Sequence, residues 1–222
     1  MIVAIFDLDG TLYTGHIIQG IILHHRSKRV NRLPLYFYMA THMPLWPLWQ
    51  LGILSDGNVR ELWARHLSWN FRGFTRELAA EVFTWIARQY VQPLVRQDVM
   101  KRVHDHLTAD HRAILVSGTP APLLSEVGRL LGIEETVGTP LVLKAGRYTG
   151  ACELPLCQGL GKVSRLRDYL DGESIIWSDS CAYADNYTDL PLLEQVGHPV
   201  AVYPDEELAA HALNRGWEII GQ

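Results

Sequence analysis

The chain has 222 residues, of which 48% are hydrophobic and 20% charged, and its formal net charge is −4. That is the composition of a globular chain long enough to bury a core without staples, and it excludes collagen-like and disordered classes. The mildly acidic balance offers no electrostatic footprint for nucleic acid. The three cysteines, Cys152, Cys157 and Cys181, are odd in number and form no Cys-x-x-Cys pair. This argues against a zinc site or disulfide framework and fits a reducing, cytoplasmic compartment. No basic leader precedes the first apolar run, so no signal peptide is expected.

Residues 2–6, Ile-Val-Ala-Ile-Phe, are a short β-branched run bounded by Asp7 and Gly10, which predicts a buried strand. Asp7 and Asp9 therefore sit where that strand ends, the place where open α/β sheets bind ligands. One such aspartate can attack phosphorus and the second can shuttle a proton. Together they can hold Mg²⁺, which prefers carboxylate oxygen. Gly10 lets the chain turn, and Thr11 can fix the loop by a local hydrogen bond.

From about His16 to about Gln97 the pattern changes. Helices are predicted over 58–68 and 75–90, with Leu62, Leu67, Leu78, Val82, Phe83 and Ile86 at three-to-four spacing. From Leu33 to Ser55 there is no Asp, Glu, Lys or Arg, and the segment carries Tyr36, Phe37, Tyr38, Trp46 and Trp49. Pro34, Pro44, Pro47 and Gly52 would break a membrane-spanning helix repeatedly. The segment reads first as buried helices. The alternative is an interfacial surface for an anionic amphiphile, given Arg26, Lys28, Arg29 and Arg32 just before it. The ten histidines show no metal spacing: His104 and His106 lie two apart on an expected helix and do not share a face, and His24 and His25 are adjacent. They read as ordinary surface or partly buried residues.

Further along, Ala113 to Val116 is a second short apolar run, followed by Ser117 and Gly118, whose hydroxyl and backbone donors suit a phosphate. Residues 141–150 alternate around Ala-Gly-Arg and predict a hairpin. Gly159-Leu160-Gly161-Lys162 opens a helical stretch; a lysine there opposes the helix dipole and makes sense if it points at anionic groups. Residues 174–194 contain two candidate acidic positions. Asp179-Ser180 follows the apolar Ile175-Ile176-Trp177, and Asp185 is followed four residues later by Asp189 in Asp-Leu-Pro-Leu-Leu-Glu. Four residues past Asp179 lies Tyr183, which cannot replace a carboxylate, so Asp185 is favoured and Asp179 kept as the alternative.

Phe6-Asp7-Leu8-Asp9-Gly10-Thr11-Leu12, then Ser117, Lys162 and Asp185 to Asp189 in that order, resemble the four signatures of the haloacid dehalogenase superfamily. The segments Gly146 to Gly150 and Cys157 to Lys162 are similar to its phosphoserine-phosphatase-like branch. The resemblance implies an α/β fold, a doubly wound parallel sheet, with a catalytic core at 1–15 and 97–222 and an inserted α-helical cap at 16–96. It implies Asp7 as nucleophile and Asp9 as general acid and base, with Ser117, Gly118 and Lys162 on the phosphate. Mg²⁺ would sit on Asp7, the carbonyl of Asp9 and Asp185, with Thr11 and Asp189 in support. The activity expected is hydrolysis of a small or amphiphilic phosphomonoester. A phosphotransferase or mutase on the same framework stays open, as does a membrane-docking interaction protein with a relic core. Oligomeric state is left open.

Overall fold

The structure, a computed structural model, describes residues 1–45, 47, 51 and 56–221. Its centre is a six-stranded sheet in the order β3-β2-β1-β6-β7-β8, formed by Glu135–Thr139, Arg112–Pro120, Val3–Phe6, Cys181–Ala184, His198–Val202 and Glu218–Ile220. Every neighbouring pair is parallel. Parallel strands need crossovers that cover both faces, so their sequences read as continuous apolar runs. All four residues of β1 are buried accordingly.

The two-residue period of a strand divides those runs between two cores. Ala4, Phe6, Ala113 and Leu115 point into one; Val3, Ile5, Ile114 and Val116 point into the other. The first core is closed by helices α1 (Ile17–Lys28), α4 (Arg76–Ile86), α5 (Gln97–Thr108) and α6 (Ala121–Leu131), through Ile21, Phe83, Val103 and Leu124. The second is closed by α7 (Leu160–Tyr169), α8 (Leu190–Leu193) and α9 (Glu206–Arg215), through Leu166, Leu192 and Leu208. Local chemistry sets the helix ends: Thr75 Oγ1 accepts from Leu78 N at the start of α4, and Asp205 Oδ1 from Leu208 N at the start of α9.

Between β1 and α5 the chain makes a helical insertion. It holds α1, α2 (Arg32–His42), α3 (Asp56–Leu67), a 3₁₀ turn at Ser68–Phe71, and α4 running into a π turn at Ala87–Val91. The expected hairpin is present, with β4 (Leu141–Lys144) and β5 (Arg147–Cys152) joined by Ala145 and Gly146, both at positive φ. It is sewn to the insertion rather than to the large sheet. Tyr148 N donates to Phe74 O, Gly73 N to Tyr148 O, and Ser68 Oγ to Gly150 O.

Several expectations are corrected. The helix expected over 75–90 ends as an α-helix at Ile86, where the π turn begins. Leu62 and Leu78 face outward, while Leu67, Val82, Phe83 and Ile86 are buried. The second strand runs on past Ser117 to Pro120, beyond the apolar run Ala113 to Val116. His24, His25 and His42 are buried, not surface residues. Of the uncharged segment 33–55, α2 is only half covered: Leu35 and Tyr38 are buried, but Leu33 and Phe37 are 84% and 60% exposed. Trp46 and Trp49 lie outside the described residues. No helix among the described residues is long and apolar enough to cross a membrane.

Candidate active site

The parallel pairing of β1 with β6, Phe6 opposite Tyr183, brings the ends of two distant strands side by side. Asp7 follows β1 and Asp185 follows β6, and Asp7 N donates to Tyr183 O across the pair at 2.9 Å. Beyond Asp185 the chain makes a single 3₁₀ turn at Tyr187–Asp189. Asn186 caps it, its Oδ1 accepting from Thr188 N at 3.0 Å, and the turn swings Asp189 back toward Asp7. One carboxylate oxygen each from Asp7, Asp185 and Asp189 lies within 4.8 Å of the others.

Lys162 enters from the first turn of α7. Its Nζ donates to Asp7 Oδ1 at 2.5 Å and to Asp189 Oδ2 at 2.7 Å, and the residue is 3% exposed. Burial pulls an ammonium toward neutrality, but the attraction of Asp189 and Asp7 outweighs it, and the group is held charged. Thr11 Oγ1 donates to Asp7 Oδ2 at 3.1 Å and reaches Asp185 Oδ1 at 3.4 Å, tying the two strand ends together. Gly10, at φ +80°, passes so close that a Cβ there would lie 2.0 Å from Asp185 Oδ2.

Asp9 stands apart from the carboxylate trio. Its Oδ1 accepts from Tyr13 Oη at 2.5 Å and from Ile17 N at 3.1 Å, at the start of α1. Burial raises its pKa, and the bond from Tyr13 works in the opposite direction. Ser117 and Gly118 line the same cleft from β2, Ser117 Oγ donating to Thr119 Oγ1 at 3.1 Å. Cys157 is buried nearby, and burial pushes its thiol up to about 12, so it stays protonated and inert.

Burial and the charges of Asp7 and Asp189 push Asp185 up to about 8. Four carboxylates at Asp7, Asp9, Asp185 and Asp189 share the cleft with the single ammonium of Lys162 among the described residues. This excess of hard oxygen donors and negative charge fits a divalent cation of the Mg²⁺ type.

Asp7, Asp9, Thr11, Ser117, Gly118, Lys162, Asp185 and Asp189 thus meet at one place. Asp179 does not: it lies on an exposed 3₁₀ turn, Trp177–Asp179, before β6 begins, and Ile175 and Ile176 form no strand. What sequence reasoning missed lies mostly above the carboxylates. Tyr38 from α2, Trp63 from α3, and Ile17 and Gln19 from α1 cover a cleft of about 640 Å³. Tyr13 was missed as well, although its position four residues after Asp9 was a signal in plain view.

A family model of the haloacid dehalogenase-like hydrolases matches residues 4–194. The chain belongs to that family. Among its relatives, a putative hydrolase of Mycobacterium leprae is 36% identical over 218 residues, covering 97% of this chain and 71% of the relative. A protein named phosphoserine phosphatase in Mycobacterium tuberculosis is 35% identical, covering 97% of this chain and 69% of its own length. A solved structure from Bordetella pertussis, described as a protein of unknown function, is 25% identical and superposes with a TM-score of 0.83, covering 99% and 97% of the two chains. The aspartyl-phosphate analogue of a phosphoserine phosphatase shares the fold at 16% identity, with a TM-score of 0.62 over 98% and 91% of the two chains. As a member of this family the chain is a hydrolase with an α/β sheet core.

Proposed function

We propose that the chain is a Mg²⁺-dependent phosphomonoester hydrolase that works through an aspartyl-phosphate on Asp7. The observation that carries this reading is the convergence of Asp7, Asp185, Asp189 and Lys162 from three separate segments onto one buried point. Relatives named phosphatase and phosphoserine phosphatase support it.

In this reading Asp7 attacks phosphorus in line with the ester oxygen. Its strand-end position and the Thr11 and Lys162 bonds hold the carboxylate in place for that attack. Asp9, whose raised pKa keeps a proton available, gives it to the leaving alcohol and later takes one from the attacking water. Lys162, Ser117 and the backbone at Gly118 bind the non-bridging oxygens, where charge accumulates in the transition state. Asp7, the carbonyl of Asp9 and Asp185 would hold Mg²⁺, with Asp189 and Thr11 in support. When bound, the cation supplies electrostatic screening between an anionic nucleophile and an anionic phosphate. The roof excludes water during transfer. We assign residues 16–96 to this cap and 1–15 with 97–222 to the core, with a small or amphiphilic phosphomonoester as substrate and a cytoplasmic setting.

The test is phosphate release from a generic phosphomonoester with and without Mg²⁺, in the wild-type protein and in Asp7→Asn. Activity that needs both Mg²⁺ and Asp7 supports the proposal; activity indifferent to Asp7 ends it. Adding an alcohol during turnover separates hydrolysis from phosphoryl transfer, because a transferase converts the alcohol to a new ester at the expense of free phosphate.

A further inference from the structure

The cleft is too large for a phosphoryl group alone. Its volume of about 640 Å³ falls in the range of about 300–1,000 Å³ typical of sites that enclose a whole organic ligand. Its two ends differ sharply in chemistry. Among the described lining residues, the Asp and Lys side chains, Asp7, Asp9, Lys162, Asp185 and Asp189, are all at the floor. The roof is Ile17, Ile18, Tyr38, Val59, Trp63 and Leu67. The polar side chains on that side, His16 and Gln19, are exposed at the rim, and Gln19 Oε1 already accepts from Tyr90 Oη at 2.6 Å.

The roof is also held in place. Tyr38 Oη donates to Trp63 O at 3.3 Å, which engages the hydroxyl and leaves the ring as apolar lining. One turn on, His42 stacks on Tyr38 with ring centroids 4.3 Å apart and pairs with His66 across 3.0 Å. Two contacts therefore join α2 to α3 directly behind the apolar surface.

We propose that this roof selects phosphomonoesters whose leaving group is an uncharged alkyl or aryl alcohol, and turns away amino-acid phosphates that carry an ammonium and a carboxylate. The inference rests on the hydrolase reading above. An apolar leaving group gains by shedding water against Tyr38 and Trp63. A zwitterionic one would shed the hydration of two charges against a roof that supplies no Asp, Glu, Lys or Arg among its described members, and its carboxylate would find Lys162 already paired with Asp7 and Asp189.

The experiment measures kcat/KM with Mg²⁺ for ethyl, butyl, hexyl and octyl phosphate, phenyl phosphate and O-phosphoserine. The expected result is a rise of up to about fourfold per methylene, the equivalent of about 0.8 kcal/mol, until the roof is filled, with phosphoserine at least about tenfold below butyl phosphate. Trp63→Ala flattens the dependence on chain length, and Tyr38→Phe, which keeps the ring, preserves it. If Trp63→Ala does not fold, the alkylphosphonate series as competitive inhibitors of the wild-type protein reads the same slope. A flat series, or phosphoserine as the best ester, overturns the inference and leaves the hydrolase reading standing. Failure to hydrolyse any ester strikes the hydrolase reading instead, and calorimetric binding of the phosphonates then decides the inference: affinity that does not rise with chain length overturns it.

Discussion

The floor of the cleft draws on residues far apart in sequence, Asp7, Ser117, Lys162 and Asp185, whereas the roof comes from one stretch, residues 17–67. The floor is fixed by backbone. Parallel register puts Asp7 beside Asp185, a single capped turn returns Asp189, and the first turn of α7 delivers Lys162. Little freedom remains: Asp7, Asp9, Lys162 and Asp189 are held by hydrogen bonds of 2.5–3.1 Å, and Thr11 reaches Asp185 at 3.4 Å. The roof is fixed by packing of helices on one another, and its members are apolar. On the proposed function, the difference teaches that reaction type and leaving-group preference are specified separately: the first by where strands end, the second by which helix faces turn inward.

The largest effect that would break this division is at Asp7. An amide is a far weaker nucleophile, so Asp7→Asn should lower kcat by at least about 10³-fold while the melting temperature stays close to that of the wild type or rises. A rise is expected because burial already disfavours the Asp7 charge. Steady-state rates and thermal melts check both halves. Next comes the acidic pair. Asp185→Ala should raise the Mg²⁺ needed for half-maximal activity steeply, with kcat down about 10²-fold or more, while Asp179→Ala changes either by less than about twofold. The reverse ranking would place the metal at the wrong end of β6 and undo the floor as described.

Tyr13 sharpens the comparison because it belongs to the loop that joins floor to roof. Its hydroxyl stabilises the Asp9 carboxylate, so Tyr13→Phe removes a bond that lowers the pKa of Asp9. With that pKa raised further, the acid form of Asp9 persists to higher pH, and the alkaline limb of the kcat profile should move up. The cost in kcat at the optimum should be about tenfold, the scale of one hydrogen bond to a charged group. An unmoved limb would mean that Asp9 is not the titrating acid. The smallest catalytic effect is expected from the roof anchor. Phe83 of α4 lies edge-on to Phe71, with centroids 5.0 Å apart, inside the core beneath the insertion. Phe83→Ala should cost about 3–5 kcal/mol of stability, read as a fall in melting temperature of about 10 °C, with kcat for ethyl phosphate changed little below that transition.

The same division explains what the sequence made legible. Each floor residue belongs to a short strand-end or helix-start motif, and its spacing along the chain survives folding intact. Asp185 could be preferred over Asp179 because only Asp185 has a carboxylate four residues on, and the capped turn at Tyr187–Asp189 is the physical form of that spacing. Ile175-Ile176-Trp177 is apolar but forms no strand. That run lies before the N-terminal ends of β1 and β6, at the opposite end of these strands from the site, where Ile176 N bonds to Met1 O instead of continuing a ladder. The roof was not legible, because helical periodicity gives an apolar face but not its partner. Leu62 and Leu78 fitted the period and turned outward, while Tyr38, in the uncharged segment 33–55, and Trp63, in the helix expected over 58–68, line the cleft. The hairpin was legible from Ala-Gly at its turn, but its docking on Phe74 and Ser68 rests on backbone bonds that no side-chain pattern announces.

The most direct test of the central claim is to quench the wild-type protein during turnover with Mg²⁺ and a reactive aryl phosphate, then map the covalent phosphoryl group by mass spectrometry. The account predicts a hydroxylamine-sensitive phosphoryl group on the peptide containing Asp7, absent from Asp7→Asn and accumulating when Asp9→Asn slows its hydrolysis. Phosphate release without any such species in either protein, or a phosphoryl group found on another residue, would contradict it.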